Sequence, residues 1–132
     1  MNLSAPHNSP MVIVVEDDPS VLRSMRRLIV GAGFAVRTFD RPSALLDSEL
    51  PTSNACFVVD LHLPEMNGVE LCEKLAASNR LMPVILVTGH TDRTTMAMAA
   101  RIHAVALLFK PFSRSQLLEA ISHALEPRAI SN

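Results

Sequence analysis

Met11-Val12-Ile13-Val14-Val15-Glu16-Asp17-Asp18-Pro19 decides the fold. Apolar, mostly β-branched residues without alternation read as a short strand buried on both faces, the environment of a parallel sheet. Acids and a proline then end the run at once. Asp18 is placed to cap a helix, and Pro19 fits its first turn, where the missing N–H is not needed. Beyond it Val21, Leu22, Met25, Leu28 and Ile29 share one helical face, and Gly31 and Gly33 mark the exit. The stretch is a strand-to-helix junction with ionisable groups at the carboxyl end of the strand.

The same unit recurs along the chain. Apolar runs lie at Met11–Val15, 35–39, 55–59, 84–87 and 104–109. Four are nearly continuous in apolar residues; Ala35-Val36-Arg37-Thr38-Phe39 alternates and carries an arginine, which predicts an edge strand. Helical patterns fill the gaps. Asp40 is expected to cap a short helix reaching Leu46, with Pro42 in its first turn, and Asn67 to cap a third carrying Val69, Leu71, Cys72 and Leu75. Thr91 or Asp92 opens a fourth, rich in Ala and Met, to about Arg101. Ser113 opens the last, where Leu117, Ala120, Ile121 and Leu125 keep the period. Strict alternation with short connections predicts right-handed crossovers and an α/β fold, a five-stranded parallel sheet with helices on both faces. Ligands then bind at the carboxyl ends of the strands.

Composition narrows the function. With 132 residues, 48% of them hydrophobic and 19% charged, the chain fits one globular domain. Twelve Lys and Arg against thirteen Asp and Glu give a formal charge of -1, so no basic field exists to hold nucleic acid. Cys56 and Cys72 have no metal-ligand spacing and read as buried free thiols of a reducing compartment. The first ten residues carry no Lys, Arg or apolar core of a signal peptide, and no run reaches membrane-spanning length. Together these predict a soluble, cytoplasmic domain.

The strand ends collect Glu16-Asp17-Asp18, Asp60, Thr88 and Lys110-Pro111. Each alone has a plain structural explanation, as a cap, a strand end or a solvated lysine; the conjunction does not. Close carboxylates repel unless a charge compensates them, and a hard divalent cation such as Mg²⁺ does so. A lysine, a hydroxyl and such an ion suit a phosphoryl group, and Asp60 stands where it could be the nucleophile that forms an acyl phosphate.

On these residues the sequence resembles the receiver domain of two-component response regulators. The matching stretches are residues 12–18, Val58-Val59-Asp60-Leu61-His62-Leu63-Pro64-Glu65-Met66-Asn67-Gly68, Val84-Ile85-Leu86-Val87-Thr88-Gly89-His90 and Lys110-Pro111-Phe112, in family order and spacing. Thr88-Gly89-His90 and Lys110-Pro111-Phe112 are most similar to receivers of the FixJ type. The resemblance covers about Met11 to Leu125 and implies a CheY-like, flavodoxin-like sheet of order 2-1-3-4-5. It implies a receiver at 11–126, a tail at 1–10, and a tail or the start of a linker at 127–132. It also implies that Asp60 is the phosphoacceptor and that Asp17, Glu16 (through water), Asp60 and the backbone carbonyl of His62 hold Mg²⁺. Thr88 and Lys110 would hold the phosphoryl group, and the Lys110–Pro111 bond would be cis.

The family's donor is a phosphohistidine on a sensor histidine kinase or histidine phosphotransfer domain. No turnover substrate is expected. The output is a switched face of helix 4, strand 5 and helix 5, read by a second copy or an effector protein. Three positions depart from the pattern, the mildest being Glu16, where aspartate is commoner. Leu107 stands where an aromatic is usual, and His103 where a glycine is usual near the fifth strand. They motivate an alternative, a receiver-fold interaction module that works without phosphorylation. A metal-dependent phosphatase or nuclease would lack a second acid near Asp60, and a nucleotide binder would need Gly, Ser or Thr where Glu16-Asp17-Asp18 stands. His62 and His90, two residues beyond Asp60 and Thr88, are expected to be loop residues able to alter phosphoryl lifetime. Arg23, Arg26 and Arg27 read as a solvated helix face beside the surface where a kinase docks, and Met96 and Met98 as core filling. A FixJ-type receiver normally precedes a helix-turn-helix domain, and none follows in this sequence; a receiver acting alone and an excised receiver both remain open.

Overall fold

Ten elements alternate along the chain: β1 (Met11–Val15), α1 (Pro19–Gly31), β2 (Ala35–Phe39), α2 (Pro42–Leu46), β3 (Ala55–Asp60), α3 (Gly68–Ala77), β4 (Val84–Thr88), α4 (Arg93–Ala99), β5 (Ala106–Phe109) and α5 (Arg114–Leu125). The computed structural model describes residues 9–126. The expected tail at 127–132, and all but residues 9 and 10 of the tail at 1–10, therefore lie outside the described residues. All strand pairs are parallel, in the order β2-β1-β3-β4-β5.

The pleat sorts the core into two layers. Ile13, Val15, Phe57, Val59 and Leu86 face Leu45 of α2, Val69, Leu71 and Leu75 of α3 and Ala99 of α4. Val12, Val14, Val58, Ile85 and Val87 face Met25 and Ile29 of α1 and Leu117 and Ile121 of α5. β1, β3 and β4 are the interior strands; from Val12 to Val15, and throughout β3 and β4, every residue is buried, which is why they read as unbroken apolar runs. β2 is an edge strand, partly exposed throughout. Its arginine is accommodated there: Arg37 Nη1 donates to the Glu49 carbonyl at 2.6 Å, and the guanidinium lies 5.2 Å from the Phe39 ring centroid.

Several local expectations need correction. β5 is the other edge, partly exposed along its length and ending on exposed Phe109, so it is not buried on both faces. It starts at Ala106 rather than residue 104, because Ala104 N donates to the Ile102 carbonyl in a tight turn. Asp40 does not cap α2. It pairs with its neighbour Arg41, which occupies the N-cap position without a side-chain cap bond. The cap comes from another loop: Glu65 Oε1 accepts Ser43 N at 2.8 Å, and Oε2 accepts the Ser43 hydroxyl at 2.8 Å. α4 stops at Ala99, and Arg101 beyond it pairs with Glu73 of α3 at 2.7 Å. Met98 packs on the core as expected, Met96 is not among the residues packed on it, and both are partly buried. His103 needs no left-handed backbone; among the described residues only Asn54, Glu65 and Asn79 are non-glycines with positive φ.

Candidate functional site

Three parallel interior strands deliver acids or a hydroxyl to one end of the sheet, and β5 delivers a lysine. Glu16 follows β1 directly, Asp60 ends β3, Thr88 ends β4 and Lys110 follows β5. The β1–β3 register sets Val15 beside Val59, so Glu16 and Asp60 emerge together. Asp18 steps aside as the α1 cap, its carboxylate accepting Ser20 N and Val21 N. Asn67 caps α3 through a reciprocal box with Glu70, and Gly68 N donates to the Leu61 carbonyl at 2.9 Å, so α3 starts directly under Asp60. A Cβ on Gly68 would collide with the Asp60 carbonyl oxygen, which explains the glycine by space rather than by backbone freedom.

Lys110 Nζ lies 2.8 Å from Glu16 Oε1 and 2.8 Å from Asp60 Oδ2. Asp60 Oδ1 accepts His62 N at 3.0 Å, and Glu16 Oε2 accepts Asp18 N at 3.1 Å. Glu16 and Asp60 are buried and Asp17 is exposed, yet one oxygen of each lies within 4.8 Å of the others. Burial pushes the Glu16 carboxyl up from 4.5 to about 7, with the Asp60 charge adding to the shift and Lys110 and the Asp18 amide opposing it. Desolvation alone would lower the Lys110 ammonium; its bonds to Asp60 and Glu16 outweigh that and raise it. Lys110 therefore stays charged between two acids, of which Glu16 holds its proton unusually late.

The donor set fits a hard divalent cation. It consists of oxygens only, and three carboxylates against one ammonium leave two surplus negative charges when all are ionised. Glu16 Oε1 is moreover buried, with the Lys110 ammonium 2.8 Å away as its charge partner.

Glu16, Asp17, Asp60 and Lys110 are thus brought together as the sequence predicts. Thr88 is adjacent but turned away: its hydroxyl accepts His90 N at 3.0 Å and donates to the His90 carbonyl at 3.3 Å. Its backbone is tied to the site, because Lys110 N donates to the Thr88 carbonyl at 2.8 Å. The Lys110–Pro111 bond is cis. Sequence reading missed that Glu65 ties this loop to α2 and that the His62 and His90 rings touch, their centroids 4.2 Å apart. Both facts depend on loops meeting across the sheet end, and only the i+2 spacing of each histidine from a pocket residue hinted at the second.

Comparison with known proteins agrees with this geometry. The family described as response regulator receiver domain matches residues 12–122. Nodulation protein W of Bradyrhizobium diazoefficiens is 37% identical over 116 residues, 88% of this chain and 51% of that protein. Transcriptional regulatory protein FixJ of the same organism is 34% identical over 123 residues, 91% of this chain and 60% of that protein. The crystal structure of FixJ-N superposes with a TM-score of 0.78 at 32% identity, covering 92% of this chain and 98% of that one. The chain spans about half to three-fifths of the length of these two curated relatives.

Proposed function

Because this chain belongs to the response regulator receiver domain family, the phosphoacceptor proteins of two-component signalling, we propose that Asp60 is its phosphoacceptor. The observation that carries the assignment is the Lys110 ammonium, 2.8 Å from both the Asp60 and Glu16 carboxylates. That ammonium aims the Asp60 carboxylate at the pocket mouth, with His62 N fixing its second oxygen. When phosphohistidine is the donor, an Asp60 oxygen bonds to phosphorus as the P–N bond breaks, and the bond electrons leave on the imidazole nitrogen, which takes a proton. Lys110 then swings from the carboxylates to a phosphoryl oxygen. Thr88 trades its bonds with the His90 backbone for one to the phosphoryl group, which pulls the turn after β4 toward the site.

Glu16, Asp17, Asp60 and the His62 carbonyl are the residues we assign to Mg²⁺. When bound, the ion supplies charge that screens attacking carboxylate from incoming phosphate. Residues 11–126 form the receiver unit, a signalling domain without a separate turnover substrate, working in the cytoplasm. The partner that donates phosphate is a sensor histidine kinase or histidine phosphotransfer domain. A cleft of about 530 Å³ between α1 and the loop from β5 to α5, lined by Val21, Met25, Leu28 and Phe112 beside Lys110, supports docking at the pocket mouth. The exposed Arg23, Arg26 and Arg27 stand on the same helix. The output surface is α4, β5 and α5, where partly buried Leu107 replaces the usual aromatic and exposed Phe109 lies two residues on.

The test is intact mass after incubation with Mg²⁺ and phosphoramidate. One added phosphoryl group, lost on chelation and absent in Asp60→Asn, is expected. No adduct in folded protein that binds Mg²⁺ would refute the assignment and favour an interaction module independent of phosphorylation.

A further inference from the structure

At the rim of the carboxylate pocket two imidazoles from different loops lie against each other. His62 is on the loop after β3 and His90 on the loop after β4, with centroids 4.2 Å apart and planes tilted by 55°. Both are exposed, so burial of apolar area does little to hold them together. Their backbones are nonetheless fixed, His62 N on Asp60 Oδ1 at 3.0 Å and His90 N on Thr88 Oγ1 at 3.0 Å. The rings therefore meet because the two loops present them to each other.

We propose that His62 and His90 form a second metal site, a two-imidazole clip for a borderline divalent ion of the zinc, nickel and copper class. Such an ion bonds imidazole nitrogen at about 2 Å, so two rings already in contact can reach one ion by side-chain rotation. Ligand chemistry separates the sites: nitrogen donors favour Zn²⁺, Ni²⁺ and Cu²⁺, whereas the oxygen-only set of Glu16, Asp17 and Asp60 favours Mg²⁺. Among the described residues no third His, Cys, Asp or Glu groups with both rings as they stand, so water completes the coordination. An ion held this way ties the loop of Asp60 to the turn of Thr88. It opposes the departure of the Thr88 hydroxyl from the His90 backbone, a consequence that rests on the phosphoacceptor reading above.

The experiment is calorimetric titration of the full chain with NiCl₂ in saturating Mg²⁺, with imidazole NMR signals followed in parallel. One Ni²⁺ per chain is expected, broadening the His62 and His90 ring signals before those of His7, His103 and His123. His62→Ala and His90→Ala should each weaken binding by more than about tenfold, at least the loss that removing a ligand's outer partner carries. Asp17→Asn should leave it unchanged, and circular dichroism checks that each variant folds. Absence of ring broadening in the wild-type chain overturns the site without reference to any variant, and so does loss of Ni²⁺ binding in Asp17→Asn. Ni²⁺ should also slow phosphoramidate labelling of the wild type but not of His90→Ala. Equal labelling rates with the clip filled would overturn the coupling, whereas no labelling without Ni²⁺ would count against Asp60 instead.

Discussion

Gly68 is the first residue of α3 and is buried beneath Asp60. A Cβ there collides with the Asp60 carbonyl oxygen and comes within 3.0 Å of Val59 Cγ1. Both neighbours belong to β3, which is hydrogen-bonded to strands on either side and cannot give way. The Gly68 N–H is itself held by the Leu61 carbonyl at 2.9 Å. Gly68→Ala must therefore lift the start of α3 or push the Asp60 peptide. Overpacking of this kind costs about 1–3 kcal/mol, and the entropy gained by removing a glycine, about 0.4–1 kcal/mol, offsets only part. We expect a net loss of about 1–2 kcal/mol, a fall in Tm of roughly 4–7 °C for a chain of this size. Gly31→Ala is the control: nothing lies within 4 Å of its Cβ, so the entropy gain stands alone and Tm rises by roughly 1–4 °C. Thermal unfolding by far-UV circular dichroism reads both, which suits a chain without Trp or Tyr. A Gly68→Ala protein as stable as the wild type, beside a stabilised Gly31→Ala, would refute the packing argument.

The pH behaviour of Mg²⁺ binding follows from Glu16. Its carboxyl is raised from 4.5 to about 7, so its contribution to stability is whole below 4.5 and is lost as pH rises through about 7. Mg²⁺ must displace that proton, and calorimetric affinity should rise by up to about tenfold per pH unit below 7 and level off above; a flat profile would contradict the burial of Glu16. Cys56 and Cys72 are fully buried, with thiols pushed up to about 12 by that burial, so native protein should resist DTNB and unfolded protein should react at both. An immediate reaction of one thiol under native conditions would refute this. Glu65→Ala removes both bonds that cap α2 at Ser43 and should cost about 1 kcal/mol in urea unfolding, whereas Asp40→Ala should leave the urea midpoint unchanged. The reverse order would restore Asp40 as the cap.

The sheet and the charged pocket were legible because each rests on local pattern. Val12 to Val15 and Val84 to Val87 are buried on both faces, and such strands announce themselves as runs without polar interruption. Glu16, Asp60, Thr88 and Lys110 follow from where those runs stop. Edge strands and caps were harder. β5 is as apolar as an interior strand yet lies at an edge, and nothing in Ala106-Leu107-Leu108-Phe109 reports which neighbour is missing. Asp40 has the residue type and position of a helix cap, but Arg41 engages it while Glu65, in a left-handed conformation at φ 73°, reaches across from a distant loop. Its cost in backbone strain and its return in cap bonds are both tertiary. The same holds for the His62–His90 contact and for the space above Gly68, which exist only once β3, α3 and the loop after β4 have met.

Of the three close carboxylates Glu16, Asp17 and Asp60, the proposed phosphoryl carrier is Asp60 alone. Borohydride reduction of the Mg²⁺- and phosphoramidate-treated protein, followed by peptide mass spectrometry, marks the carboxylate that became an acyl phosphate. Reduction at Asp60 alone, dependent on Mg²⁺, is expected. Reduction at Asp17 or Glu16 with Asp60 untouched would contradict it.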